Sequence, residues 1–139
     1  MSTEIKVLHS PTLDEIEFLK QKLIDNNKEF VGSSLRQPIA VFTYDEHRNC
    51  IGGCSGHTYG NWLFIEYLWV DNTIRKKGIG SKLLNSMEHQ AHLRKCKFSL
   101  LDTFSFQARP FYEKHGYQTV MTLDDFPIHH QRFYLTKKL

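Results

Sequence analysis

The stretch from Leu63 to Lys82, LFIEYLWVDNTIRKKGIGSK, confines the chain more than any other. Leu63 to Val70 is nearly continuous in apolar and aromatic residues, as a central strand covered on both faces is. A loop leads from Val70 to Arg75-Lys76-Lys77-Gly78-Ile79-Gly80. From Gly80 to about Arg94, Leu83, Leu84, Met87 and Ala91 recur on one helical face. A buried strand therefore runs through a basic, glycine-bearing turn into an amphipathic helix. Glycines let the backbone approach a ligand and turn its N–H groups toward it. A helix N-terminus adds a partial positive charge and unpaired donors. Arg75, Lys76, Lys77 and Lys82 add full charges, so the turn suits a pyrophosphate held by Arg75 through Ser81.

Two common phosphate-binding patterns are excluded. GxxxxGK[ST] is absent, and the third glycine of GxGxxG is replaced by Leu83. What remains is R-x-x-G-x-G between a strand and a helix. By itself it also fits a basic surface turn that happens to hold two glycines.

The rest of the chain frames this unit. Its 139 residues suit one domain spanning 1–139. No apolar run approaches the ~20 residues of a membrane span. The segment MSTEIKVLHS lacks the apolar core of a secretory signal. Cys50, Cys54 and Cys96 cannot all pair and fit a reducing, cytoplasmic setting. A net charge of +3 is too weak to argue for nucleic acid. A short strand is expected at Ile5 to Leu8. A helix follows from Thr12, where Thr12 and Glu15 have capping-box spacing and Leu13, Ile16, Leu19 and Leu23 form a core stripe. Asn26 to Pro38 reads as a loop or a broken second helix. Ile39–Tyr44 and Ile51–Tyr59 form a hairpin around DEHRN. Phe98–Phe104 is a strand, and about Gln107 to His115 is a short helix with Pro110 in its first turn and Gly116 at its end. Strands at about Tyr117–Leu123 and Arg132–Thr136 close the chain. The order predicts an α/β (α+β) fold, a mixed and mostly antiparallel sheet of about seven strands with helices on both faces.

With this order in place, two motifs carry a resemblance. The R-x-x-G-x-G turn resembles the loop by which the GNAT superfamily of N-acetyltransferases cradles coenzyme A. Ala108-Arg109-Pro110-Phe111-Tyr112-Glu113-Lys114-His115-Gly116-Tyr117 is similar to that family's A-x-x-F-Y-x-x-x-G-[FY] segment and lies the right number of elements downstream. The resemblance implies acetyl-CoA as co-substrate. It implies that the strand ending near Val70 splays from Phe98–Phe104, so that backbone groups near Leu68 to Val70 meet the pantetheine arm and the thioester oxygen. The family often has an asparagine three residues before that alanine; here the position is Ser105, whose hydroxyl can hydrogen-bond or cap instead.

Acetyl transfer to an amine needs a neutral amine, donors for the tetrahedral oxyanion and a proton for the leaving thiolate. The resemblance places the Tyr112 hydroxyl near the cofactor sulfur, where a tyrosine of ordinary pKa about 10 stays protonated and donates. The other reading of Tyr112 is an aromatic packed between helix and sheet. Glu66 is the only charge in Leu63–Val70. Strict alternation puts it on one face with Phe64, Leu68 and Val70, where burial would make it a general base. Equally, it orients a cationic substrate or pairs with a basic neighbour. Asp102 is a weaker alternative. Cys50, Cys54 and His57 are spaced along a strand too widely to share a metal ion, with His57 on the opposite face, so no metal is expected. No cysteine has a base partner, which favours direct attack in a ternary complex. The acceptor expected is a small cationic amine, such as a polyamine or an aminoglycoside, or a peptide amine. The resemblance gives Asn26–Gln37 as a segment that shapes its pocket; Asp124-Asp125-Phe126-Pro127 either lines the same cleft or is a polar turn. A non-catalytic acyl-CoA-binding module of the same fold is the competing reading. Exposed sheet edges offer a route to a homodimer.

Overall fold

The computed structural model describes residues 2–32, 35–74 and 77–139. The chain divides after Ser34 into two compact units. The first holds one helix, α1 (Leu13–Val31). Its start is the expected capping box: Glu15 N–H donates to Thr12 Oγ1 at 3.1 Å, and Thr12 N–H donates to Glu15 Oε1 at 3.0 Å. These bonds satisfy orphan amides of the first turn. α1 runs on through Asn26 and Asn27 rather than breaking there. It stops only at Gly32, whose φ of 60° suits glycine and whose N–H reaches Lys28 O at 2.9 Å. Within this unit the Leu13, Ile16, Leu19 and Leu23 stripe is exposed, since a lone helix has nothing of its own to bury it against.

The second unit contains β1 (Gln37–Tyr44), β2 (Cys50–Tyr59), β3 (Trp62–Val70), a 3₁₀ turn (Asn72–Ile74), α2 (Ile79–Leu93), β4 (Phe98–Phe104), α3 (Arg109–Lys114), β5 (Gln118–Leu123) and β6 (Arg132–Lys138). The sheet order is β1-β2-β3-β4-β6-β5. Every neighbouring pair is antiparallel except β3 and β4. The sheet thus has six strands, not about seven. Ile5 to Leu8 is not a strand, because an extended segment becomes one only by pairing with an edge.

One face of this sheet carries the core. α2 turns Leu83, Leu84, Met87 and Ala91 onto Leu63 and Ile65 of β3, Leu101 of β4, and Phe133 and Leu135 of β6; Tyr112 of α3 joins the same cluster. Leu63, Leu84, Met87 and Leu135 are wholly buried, and burying each such side chain contributes about 1.5–3 kcal/mol. The other face carries Phe64, Leu100, Asp102, Phe104, Arg132 and Tyr134, none of them in that cluster.

The β3–β4 pairing is short. Only Trp62, Leu63 and Phe64 match Phe98, Ser99 and Leu100 in parallel register. Beyond Phe64 and Leu100 each strand continues along its other neighbour, β3 beside β2 to Val70 and β4 beside β6 to Phe104. The sheet therefore opens into a wedge between these two strands.

Candidate active site

The wedge is a cavity of ≈ 1340 Å³. Leu68 and Val70 line it from β3, Thr103 and Phe104 from β4, Gly78 to Ser81 from the start of α2, and Tyr112 from α3. Asp71 N–H is given to Ile51 O of β2 at 2.9 Å, so strand alternation turns the backbone of Val70 and Leu68 the other way, toward the wedge.

The turn into α2 is backbone-built. Gly78 is the residue before the helix and has φ 76°, a left-handed conformation that side chains resist. No side chain among the described residues caps the helix. The Lys82 N–H closes the first intrahelical bond onto Gly78 O at 3.1 Å, which leaves the Ile79, Gly80 and Ser81 amides as the orphan donors of the first turn. A Cβ on Gly78 would meet nothing within 4 Å, so the turn is open on its outer side. At Gly80 a Cβ would come within 3.3 Å of Phe111, the price of bringing α2 against α3. The Ser81 hydroxyl hydrogen-bonds His115 Nε2 at 2.9 Å, tying α2 to the end of α3. Of the expected phosphate-holding residues, Gly78, Ile79, Gly80 and Ser81 share the cavity wall. Lys77 precedes them, exposed and outside that wall. Arg75 and Lys76 lie outside the described residues.

Tyr112 is buried, with its ring edge-on to Phe111 and Tyr117. Its hydroxyl bonds no described residue, yet it is not sealed in, since Thr119 Oγ1 is the one sealed side-chain oxygen lacking a partner among the described residues. Tyr112 is itself one of the residues that line the cavity. Burial pushes its pKa up to about 12, so it holds its proton throughout the neutral range.

Glu66 is not placed as strict alternation predicts. Ser55 pairs with Tyr67 and Gly56 with Ile65, so Glu66 is the extra residue of a β-bulge. The bulge flips the phase of β3: Leu63 and Ile65 face the core before it, Leu68 and Val70 pack on the core after it. Glu66 therefore shares a face with Phe64 but not with Leu68 and Val70. Gly56 makes the bulge possible, because a Cβ there would collide with the Phe64 carbonyl. Nor is Glu66 buried, since its side chain is 47% exposed. What holds it is a hydrogen bond that sequence reasoning missed: His57 Nδ1 lies 2.6 Å from Glu66 Oε1, and the imidazole stacks on Phe64 at 4.9 Å. Arg36 Nη1 lies 3.1 Å from His57 Nε2. Arginine can only donate, so Nε2 accepts, and the ring proton sits on Nδ1 and is donated to the carboxylate. Glu66 Oε2 has no partner among the described residues, and Glu66 lines the cavity.

Asp102, the weaker base candidate, is engaged by Arg132, whose Nε donates to Oδ2 at 2.8 Å. Ser105 is not brought to the others. Its hydroxyl accepts from Gln131 N–H at 3.0 Å, and the residue is outside the cavity wall. Gln107 lines the cavity in its neighbourhood, with Oε1 accepting from Phe104 N–H at 2.8 Å. Asp124 Oδ1 accepts from Gln131 Nε2 at 2.7 Å and is also outside the wall.

Comparison with known proteins agrees with this geometry. The model of the acetyltransferase (GNAT) domain matches residues 37–119, which contain β1 through the start of β5. The blasticidin-S acetyltransferase of Streptomyces morookaense is 35% identical over 89 residues, 63% of this chain and 65% of that protein, so the match spans just under two thirds of the relative's length. An acetyltransferase of known structure from Bacillus cereus is 34% identical, with a TM-score of 0.84 covering 96% of this chain and 98% of its own. An aminoglycoside 6'-N-acetyltransferase complexed with coenzyme A shares the fold at 18% identity and a TM-score of 0.68, over 88% of this chain and 84% of that one. A turn built of orphan amides, a strand pair that parts beside it and the matched domain all lead to one assignment: the chain belongs to the GNAT family of acetyltransferases.

Proposed function

We propose that the protein transfers an acetyl group from acetyl-CoA to a primary amine of a small molecule, by direct attack with both substrates bound in the wedge between β3 and β4. The observation that carries this reading is that one cavity brings together the start of α2 with its orphan amides, Tyr112 and Glu66. The residues present fit the cofactor. The Ile79, Gly80 and Ser81 amides suit a diphosphate, because an anion at a helix N-terminus meets both donors and a favourable dipole. The strand edge at Leu68 and Val70 suits an amide-bearing arm laid along it as an added strand would be. When bound, acetyl-CoA supplies the activated acyl group.

The chain's own residues then divide the work. Glu66, held by His57, takes the proton that the amine must lose, through the oxygen that His57 does not use. Arg36 keeps His57 a donor on its Glu66 side. The backbone near Leu68 faces the developing negative oxygen. Tyr112 gives its proton to the leaving sulfur, a role that its retained proton allows. The relatives support a small acceptor: one is named for acting on blasticidin S, and the coenzyme A-bound structure is of an enzyme named for acting on aminoglycosides.

The test is release of free thiol from acetyl-CoA across a panel of small primary amines that includes blasticidin S, an aminoglycoside and a polyamine. Release that depends on at least one of them is the expected result. Acetyl-CoA binding without release on any amine would instead support a non-catalytic CoA-binding module.

A further inference from the structure

We infer that the acceptor carries a carboxylate as well as its amine, and that the guanidinium of Arg132 receives that carboxylate across the wedge from Glu66. This rests on the acetyltransferase reading above and adds the chemical class of the acceptor.

Register places the two groups opposite one another. Phe64 and Leu100 are the last paired residues of β3 and β4, and both are on the face away from the core. Glu66 stands two residues past Phe64 on that face, and Asp102 stands two past Leu100. The two carboxylates therefore start level with each other, on the diverging sides of the wedge. Arg132, at the start of β6, lies beside Asp102 and bonds it. All three residues line the same cavity.

Arg132 is held in a manner that leaves its outer edge unused. Its Nε donates to Asp102 Oδ2 at 2.8 Å. Three rings, Phe126 at 4.9 Å, Tyr134 at 5.1 Å and Phe104 at 5.4 Å, surround the guanidinium carbon. A guanidinium has five N–H donors in one plane. One is used here, and neither Nη has an acceptor among the described residues. These nitrogens are not sealed in, since Thr119 Oγ1 is the one sealed orphan there. They belong to a side chain that lines the cavity and is only 26% exposed.

Such a fork is ready-made for a planar group with two oxygens, because parallel N–H···O bonds need no further ordering of the arginine. The neighbouring Asp102 offsets one positive charge, which favours a singly charged carboxylate over a doubly charged phosphate. The diphosphate of coenzyme A has its own donors at α2, beyond β4 from β6. The acceptor that fits is thus an amino acid or an amino acid-like molecule, with its amine toward Glu66 and its carboxylate toward Arg132.

The experiment is calorimetry on CoA-saturated protein with a series of ω-amino acids of increasing length, each matched to its carboxamide and its phosphonate. The expected result is one length at which the acid binds at least about tenfold tighter than its amide. That preference should vanish in Arg132→Gln and survive in part in Arg132→Lys, with CoA affinity unchanged in both. No acid preferred over its amide by the wild-type protein overturns the inference, whatever the variants do. So does a preferred phosphonate, or a loss of CoA affinity in Arg132→Gln, which would give the fork to the cofactor. Failure of CoA itself to bind would sink the acetyltransferase reading, and the inference with it.

Discussion

The wall of the wedge beside α2 is made of backbone, whereas the wall that carries Glu66 and Arg132 is made of side chains from strands far apart in sequence. The first depends on Gly78, on the orphan amides of Ile79 to Ser81 and on the part of β3 that runs past its short pairing with β4. The second depends on His57 of β2 holding Glu66 of β3, and on Asp102 of β4 holding Arg132 of β6. In the proposed mechanism the backbone wall holds the diphosphate and the amide-bearing arm of acetyl-CoA, and the side-chain wall meets the acceptor. A side-chain site can be rewritten without disturbing the sheet. On that reading, one fold can serve different acceptors with one acyl donor.

If the two walls are independent, each can be damaged alone. The largest effect should come from Glu66→Gln. Loss of a general base costs about 10²–10⁴ in rate, and acetyl-CoA affinity should not change. His57→Gln should cost less, about tenfold, because the carboxylate survives and only its alignment is lost. Steady-state rates beside acetyl-CoA titrations check both. Equal losses in rate for the two variants would mean that His57 and Glu66 act as one unit rather than as base and positioning residue. Unchanged turnover in Glu66→Gln would leave Glu66 as an orienting group.

A smaller effect tests the core on which both walls stand. Burial pushes the Cys54 thiol from 9.0 up to about 12. The folded chain thus keeps a proton that the unfolded chain releases. Stability from this thiol is whole below about pH 9 and is lost as pH rises toward about 12. Tyr112, also pushed up to about 12, adds to the same loss above its ordinary 10.0. Thermal unfolding followed from pH 8 upward should show a falling midpoint, and Cys54→Ala should make the fall shallower. In the native protein at pH 8, Cys50, which is exposed, should react with a thiol reagent and Cys54 should not. An alkaline slope unchanged by Cys54→Ala would contradict this account.

The same division governs what could be read from the sequence. The turn at Arg75 to Ser81 and the Phe111-Tyr112 segment are contiguous, so their residues and their purpose are visible as strings. Phe98–Phe104 is bounded in the structure as its composition predicts. Glu66 was visible as a lone charge in an apolar strand, but its surroundings were not. A one-residue bulge opposite Gly56 reverses which side chains face the core, and nothing in the order of residues announces it. His57 shows no spacing signal toward Glu66, since a hairpin turn brings them together. Arg132 meets Asp102 only through the antiparallel pairing of β4 with β6. Ser105, placed near the cofactor by analogy, is instead bonded to Gln131, and Gln107 lines the wall in its region. Ile5 to Leu8 has the composition of a strand, but composition alone does not pair a segment with a neighbour.

The central claim is that a left-handed glycine and the amides after it hold the diphosphate of acetyl-CoA. Calorimetric titration of acetyl-CoA into the wild-type protein and into Gly78→Val tests it most directly. A β-branched residue at φ 76° costs about 1–2 kcal/mol in the present turn geometry, and the space around it is open, so the core should stay folded. One-to-one binding to the wild type and a loss of about tenfold or more in the variant, with unchanged circular dichroism, are expected. Equal affinity in the two proteins, or no heat from the folded wild type, would contradict the claim.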